Sequence, residues 1–177
     1  MSDLVHRIET ALAERFGEQF RAGAAPAGLE ELARMAAHRV CRRYQPRDVA
    51  PDLVRLLCAC ALSAPTKSDL QQSDILIIRD KGKRHAIAGL LPEMPWLIEA
   101  PVILIVLADG RRTPQLAAMR GKPFPNDHLD LFFNATVDAA IVLASVAQAA
   151  EAVGLGCCPI SVIRDHAQTI ADMVALP

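Results

Sequence analysis

Residues 131–153 read LFFNATVDAAIVLASVAQAAEAV, and Gly154-Leu155-Gly156 ends the run. The stretch holds no proline or glycine and is rich in alanine, so it propagates a helix. Its apolar residues fall on nearly every face. A helix of that kind is buried, either at the centre of a domain or between subunits. Two β-branched runs upstream give it something to pack on. Residues 74–79 (DILIIR) and 101–108 (PVILIVLA) read as strands, the second fully buried.

Outward from this centre the chain is mostly helical. Leu4, Ile8, Leu12, Phe16 and Phe20 recur every four residues and mark an amphipathic first helix. Residues 21–28 (RAGAAPAG) form a small-residue linker, so residues 1–28 divide from a main domain over 29–177. Helices are expected over 29–39, 52–62, near 84–91 and over 164–174. Tyr44-Gln45-Pro46 is extended or turned, because residues before proline avoid the helical region. Residues 63–69 form a polar loop, 157–162 a further candidate strand. Pro114, Gly121, Pro123 and Pro125 make 111–127 an irregular excursion or lid. The class is α+β, with a sheet too small to close. Leu176-Pro177 follows a helix with no final strand, which reads as a cut polypeptide.

Composition narrows the function. The apolar fraction is 52% with only 4% aromatic, a surplus suited to a large subunit interface. A net charge of −1 provides no field for nucleic acid or anionic membrane. The longest uncharged apolar runs fall short of the roughly 20 residues that span a bilayer, and Met1-Ser2-Asp3-Leu4 opens no apolar signal core. A soluble, cytoplasmic protein follows. Five cysteines without a C-x-x-C pair, and five scattered histidines, give no metal-ligand spacing. The expectation is reduced thiols and no metal.

Three segments carry chemistry. His38-Arg39-Val40-Cys41-Arg42-Arg43-Tyr44 puts four cationic or potentially cationic groups at a helix end. Alone it reads first as a solvated helix terminus, and second as a phosphate clamp of paired guanidinium donors. Ala64-Pro65-Thr66-Lys67-Ser68-Asp69-Leu70-Gln71 offers hydroxyls, an ammonium and an amide to a carbonyl-bearing heterocycle, or simply makes turns. Gly154-Leu155-Gly156-Cys157-Cys158-Pro159-Ile160-Ser161 leaves the long helix through glycines that allow close backbone approach. No Rossmann fingerprint, P-loop or nucleophile elbow is present.

In this order the three segments, with the Ala100-Pro101 step into a strand and Asp138 in the central helix, resemble the nitroreductase family, especially its oxygen-insensitive, flavin reductase-like branch. The resemblance covers about residues 29–177. It implies a nitroreductase fold: a central mixed or antiparallel sheet flanked by helices, in an intertwined homodimer with FMN at the interface. By position, His38, Arg39, Val40 and Arg42 would hold the FMN phosphate and ribityl chain. Pro65, Thr66, Lys67, Ser68 and Gln71 would approach the flavin, partly from the other subunit. Pro159, Ile160 and Ser161 would line one ring face, and Glu93 would meet the pyrimidine edge. Val40 stands where the family motif has serine, and the family's last phosphate-binding cation would lie beyond Pro177.

The activity so implied is ping-pong electron transfer from NAD(P)H through FMN to a nitroaromatic, quinone or flavin acceptor. The cofactor supplies the chemistry and the protein orients it, so no catalytic side chain is assigned. The alternatives are an FMN-binding or structural dimer of the same fold without turnover, or a relative that acts on its own flavin or on halogenated aromatics.

Overall fold

The computed structural model describes residues 2–20 and 28–176. The expected linker over 21–28 lies outside the described residues except for Gly28. Among them are seven α-helices and one antiparallel pair of strands. The helices are α1 (Ser2–Phe16), α2 (Leu29–Ala37), α3 (Pro51–Leu62), α4 (Lys81–Gly89), α5 (Arg112–Met119), α6 (Leu129–Ala152) and α7 (Ala167–Val174). The strands are β1 (Ser73–Ile78) and β2 (Ile103–Ala108).

The sheet is the middle of three layers. Strand alternation sends Ile75, Leu104 and Val106 to one face, where they pack on Ala61 of α3 and on Val142 and Val146 of α6. Leu76, Ile78, Ile103 and Ile105 face the other way, onto Ile87 of α4 and Ile170 and Met173 of α7. Register follows from this pattern, with Ile75 opposite Val106 and Leu76 opposite Ile105. Burying Val142, 1% exposed, contributes about 1.5–3 kcal/mol. A separate cluster joins Ile8 of α1 to Leu29, Ala33 and Ala36 of α2.

Three expectations need correction. Strand β2 starts at Ile103 and is only half-buried along most of its length. Residues 157–162 form no strand, since the backbone bond from the Cys41 N–H to the Cys157 carbonyl (2.8 Å) has no ladder beside it. Residues 112–119, expected to be irregular, form α5. Its Pro114 lies in the first turn, where a missing N–H breaks no intrahelical bond. By length and composition alone α6, 24 residues with an 18-residue stretch of mean hydropathy 1.6, could cross a bilayer, although its uncharged runs are short. Here one side of it packs on α3 and the sheet.

The opposite side of α6 is bare. Leu129, Phe132, Phe133, Val137 and Leu143 recur at helical spacing on one face and are 77%, 67%, 63%, 38% and 39% exposed.

Candidate functional site: an arginine strap and a strained loop

α2 ends because His38 leaves the helical region, at φ −52° and ψ 131°. From there the chain runs as a strap towards Asp48. Its course is fixed at several points. His38 Nδ1 lies 2.6 Å from Glu151 Oε1 near the end of α6, and the His38 carbonyl accepts a bond from Arg15 at 2.5 Å. Beside them, the Cys41 N–H bonds to the Cys157 carbonyl. The closest approach is at Gly156, where an added Cβ would stand 2.5 Å from Cys41 Cβ and 2.8 Å from its Sγ. Only glycine fits there.

The turn that carries Gly156 is built by the end of α6. Gly154 takes φ +77°, its N–H bonds to the Glu151 carbonyl (3.1 Å), and the Leu155 N–H reaches back to Ala150 (2.9 Å). This pair of bonds closes the helix C-terminus. The strap motif and the Gly-Leu-Gly motif are therefore neighbours, although more than a hundred residues separate them.

Trp96, the single tryptophan, lies across the strap. The Arg42 guanidinium is 6.0 Å from its ring centroid, and Tyr44 is 6.3 Å from it. Burial first, then the thiols of Cys158, Cys41 and Cys157, push the Tyr44 phenol up to about 12. Burial also leads the causes that raise the Cys157 thiol to about 11, followed by Glu151, Cys41 and Cys158. Such a thiol stays protonated at neutral pH and is a poor nucleophile. All five cysteines are free. Ile160 packs among Leu91, Leu97 and Trp96, with exposed Pro159 and Ser161 on either side. Glu93 is exposed, three residues before Trp96. Arg39, Arg42 and Arg43 are exposed and have no carboxylate partner among the described residues.

The second polar loop lies elsewhere. Pro65 is exposed, and Thr66 Oγ1 accepts from the Gln71 N–H at 3.3 Å. A single 3₁₀ turn covers Lys67–Asp69. Ser68, Asp69 and Gln71 adopt φ of 52°, 56° and 50°, a region that costs a non-glycine residue roughly 1–2 kcal/mol. The loop is tied to α6 through Asp138, which accepts from the Lys67 N–H (3.0 Å) and the Gln72 N–H (3.2 Å). Lys67 Nζ is 4.0 Å from Asp130. A small cavity of about 150 Å³ opens between Thr66, Gln71, Ser73, Asp74 and Arg112. The neighbouring Asp109 carboxyl is held far below its ordinary range, chiefly by its side-chain bond to Arg111.

Asp138 and Glu151 stand thirteen residues apart on α6, or about 20 Å at 1.5 Å per residue. Within one chain, then, His38, Arg39, Val40 and Arg42 gather with Pro159, Ile160 and the Glu93 turn, whereas Pro65, Thr66, Lys67, Ser68 and Gln71 form a separate group. Sequence reasoning missed Glu151 and Trp96 as neighbours of the strap. Being the only tryptophan was the sole signal for Trp96, and nothing pointed to Glu151.

No family model matches the chain. A curated relative, the FMN reductase [NAD(P)H] of Bacillus subtilis, is 30% identical over 84% of this chain and 60% of its own length. The solved structure of NfrA2 from B. megaterium superimposes with a TM-score of 0.79 at 30% identity, over 84% of this chain and 61% of that one. The fold is the nitroreductase fold. The oxygen-insensitive NADPH nitroreductase of Salmonella typhimurium is similar too, 27% identical over 81% of this chain and 58% of its own length. This nitroreductase-fold chain thus spans about 60% of the length of the curated relatives it matches.

Proposed function

We propose that the chain is one half of a homodimeric, FMN-dependent oxidoreductase that takes electrons from NAD(P)H and passes them to nitroaromatic, quinone or flavin acceptors. The observation that carries this reading is the strap: three guanidinium groups without carboxylate partners among the described residues, held against a glycine turn into which no side chain fits. Relatives named as FMN reductases and nitroreductases supply the chemical context.

The residues suit a flavin nucleotide. Arg39 and Arg42 offer paired, permanently charged donors to a phosphate. His38 is taken up by Glu151, so its part is to orient the strap while the arginines bear the charge. Exposed Val40 leaves room for a ribityl chain, Pro159 and Ile160 supply an apolar edge for the ring, and Ile160 and Ser161 offer it backbone N–H donors. Glu93, on the turn beside Trp96, is assigned to the pyrimidine edge.

The separation along α6 has a consequence for assembly. A phosphate on the strap is beyond reach of the same chain's loop, so Pro65, Thr66, Lys67, Ser68 and Gln71 are assigned to the cofactor of the other protomer. The bare face of α6 is the surface that would bring the two chains together. FMN held there would supply the hydride and electron-transfer chemistry between the two substrates. The protein's part is to bind, orient and exclude water, in a cytoplasmic setting that keeps the thiols reduced.

The test is spectroscopic. The purified chain with FMN should bleach anaerobically on adding NADH or NADPH and regain its colour with a quinone. Binding without bleaching favours the non-catalytic dimer. A chain that leaves the spectrum of added FMN unchanged contradicts the proposal.

A further inference from the structure

Asp138 has no exposed surface and lies amid the apolar core side of α6, between Ala135 and Val142. A carboxyl group in such a place is costly unless its oxygens are bonded. Both are, and to one loop. Oδ1 accepts from the Lys67 N–H at 3.0 Å and Oδ2 from the Gln72 N–H at 3.2 Å. Those two amides bracket Ser68, Asp69 and Gln71, all three left-handed at φ of 50–56°. Backbone in that region at non-glycine residues persists only where the surroundings over-determine it. The apolar neighbours of Asp138 give a core helix all it needs, so the carboxyl is accounted for by what it holds.

We propose that Asp138 is a positioning residue: it pins both ends of loop 67–72, so that the loop presents its donors to the flavin ring in one strained geometry. This rests on the assignment of the loop to the cofactor made above. Asp138 touches neither cofactor nor substrate. It acts through the backbone of Lys67 and Gln72.

Asp138→Asn tests the idea, because an amide offers one acceptor where the carboxyl offers two. In the full chain with added flavin, affinity for FMN and for riboflavin should fall together by about tenfold, the scale of one lost buried bond. Their ratio should stay as in the parent, since the strap is untouched. The visible band of bound flavin should broaden towards that of free flavin, while circular dichroism and sedimentation stay unchanged. Adding Asp69→Gly, which removes the Cβ conflict at φ 56°, should restore part of the affinity and the band shape.

Parent-like affinities and spectrum in folded Asp138→Asn overturn the proposal. So does a loss confined to FMN, or an absence of rescue by Asp69→Gly. In the parent, however the variants fold, the Lys67 and Gln72 amides should exchange with solvent as slowly as those of β1, and exchange at loop rates overturns it as well. A parent that binds neither flavin refutes the reading of the function and this inference with it. A parent that binds both while Asp138→Asn matches it refutes Asp138 alone.

Discussion

Replacing Phe132 and Phe133 by serine should split the proposed dimer without unfolding either chain. The two rings are 67% and 63% exposed on the bare face of α6. A phenylalanine carries about 200 Å², so each ring offers about 130 Å², worth roughly 3 kcal/mol at 25 cal/mol/Å². Two rings from each of two protomers give a ceiling of about 13 kcal/mol. Interfaces do not convert area to affinity one for one. Even a third of that ceiling, about 4 kcal/mol, weakens the dimer dissociation constant roughly a thousandfold. Sedimentation velocity across a concentration series reads the shift, with circular dichroism to confirm that helix content is kept. The charge substitutions Ala144→Asp and Val142→Asp sharpen the test. Ala144 lies on the exposed face and should only dissociate the dimer, whereas Val142, 1% exposed in the sheet-facing core, should unfold the chain. A parent that runs as a monomer at every concentration, or a Phe132→Ser/Phe133→Ser variant as tightly dimeric as the parent, refutes the reasoning.

Other outcomes follow from the strap. Gly156→Ala should cost about 1–3 kcal/mol in thermal or denaturant unfolding, because its Cβ would press on Cys41, and should weaken FMN binding. Gly89→Ala, with nothing within 4 Å of the new carbon, should instead stabilise α4 by about 0.5 kcal/mol. Tyr44 is the only tyrosine, so absorbance titration reads it alone. Its phenol should ionise near 12 in the folded chain against about 10 when unfolded. A raised folded value means that stability from this group is complete below pH 10 and lost as pH climbs towards 12. A native midpoint at 10 would show that Tyr44 is not packed under Trp96 and the thiols.

Legibility in the sequence followed the range of the interactions. The long helix and both strands were plain, because apolar runs such as ILII and ILIVLA encode burial locally. α5 was hidden by Pro114, whose effect depends on where in a helix it falls, and the helix start was not marked by a capping side chain. The false strand over 157–162 had the right composition but no partner beyond one bond to Cys41. At the site, the strap and the Gly-Leu-Gly turn were recognisable as separate motifs. Their contact at Cys41 and Gly156 was not, nor was the pairing of His38 with Glu151, because both join residues more than a hundred positions apart. Asp138 was visible as a charge inside an apolar helix. Its two bonds to backbone amides leave no trace in the side chains of Lys67 and Gln72.

The central claim is that the strap binds a flavin phosphate, and the direct measurement compares FMN with riboflavin, which lacks that phosphate. Each guanidinium contact to phosphate should contribute roughly 1.5–3 kcal/mol. Arg39→Ala combined with Arg42→Ala should therefore lower FMN affinity by a hundredfold or more, by this order-of-magnitude count, while riboflavin affinity changes little and the salt sensitivity of FMN binding largely disappears. Arg47→Ala, outside the motif, should behave as the parent. Titration of both flavins against the three proteins at two salt concentrations decides the matter. The account predicts that the preference for FMN over riboflavin collapses in the double variant. A double variant that keeps the parent's preference contradicts it and leaves the strap as a solvated helix end.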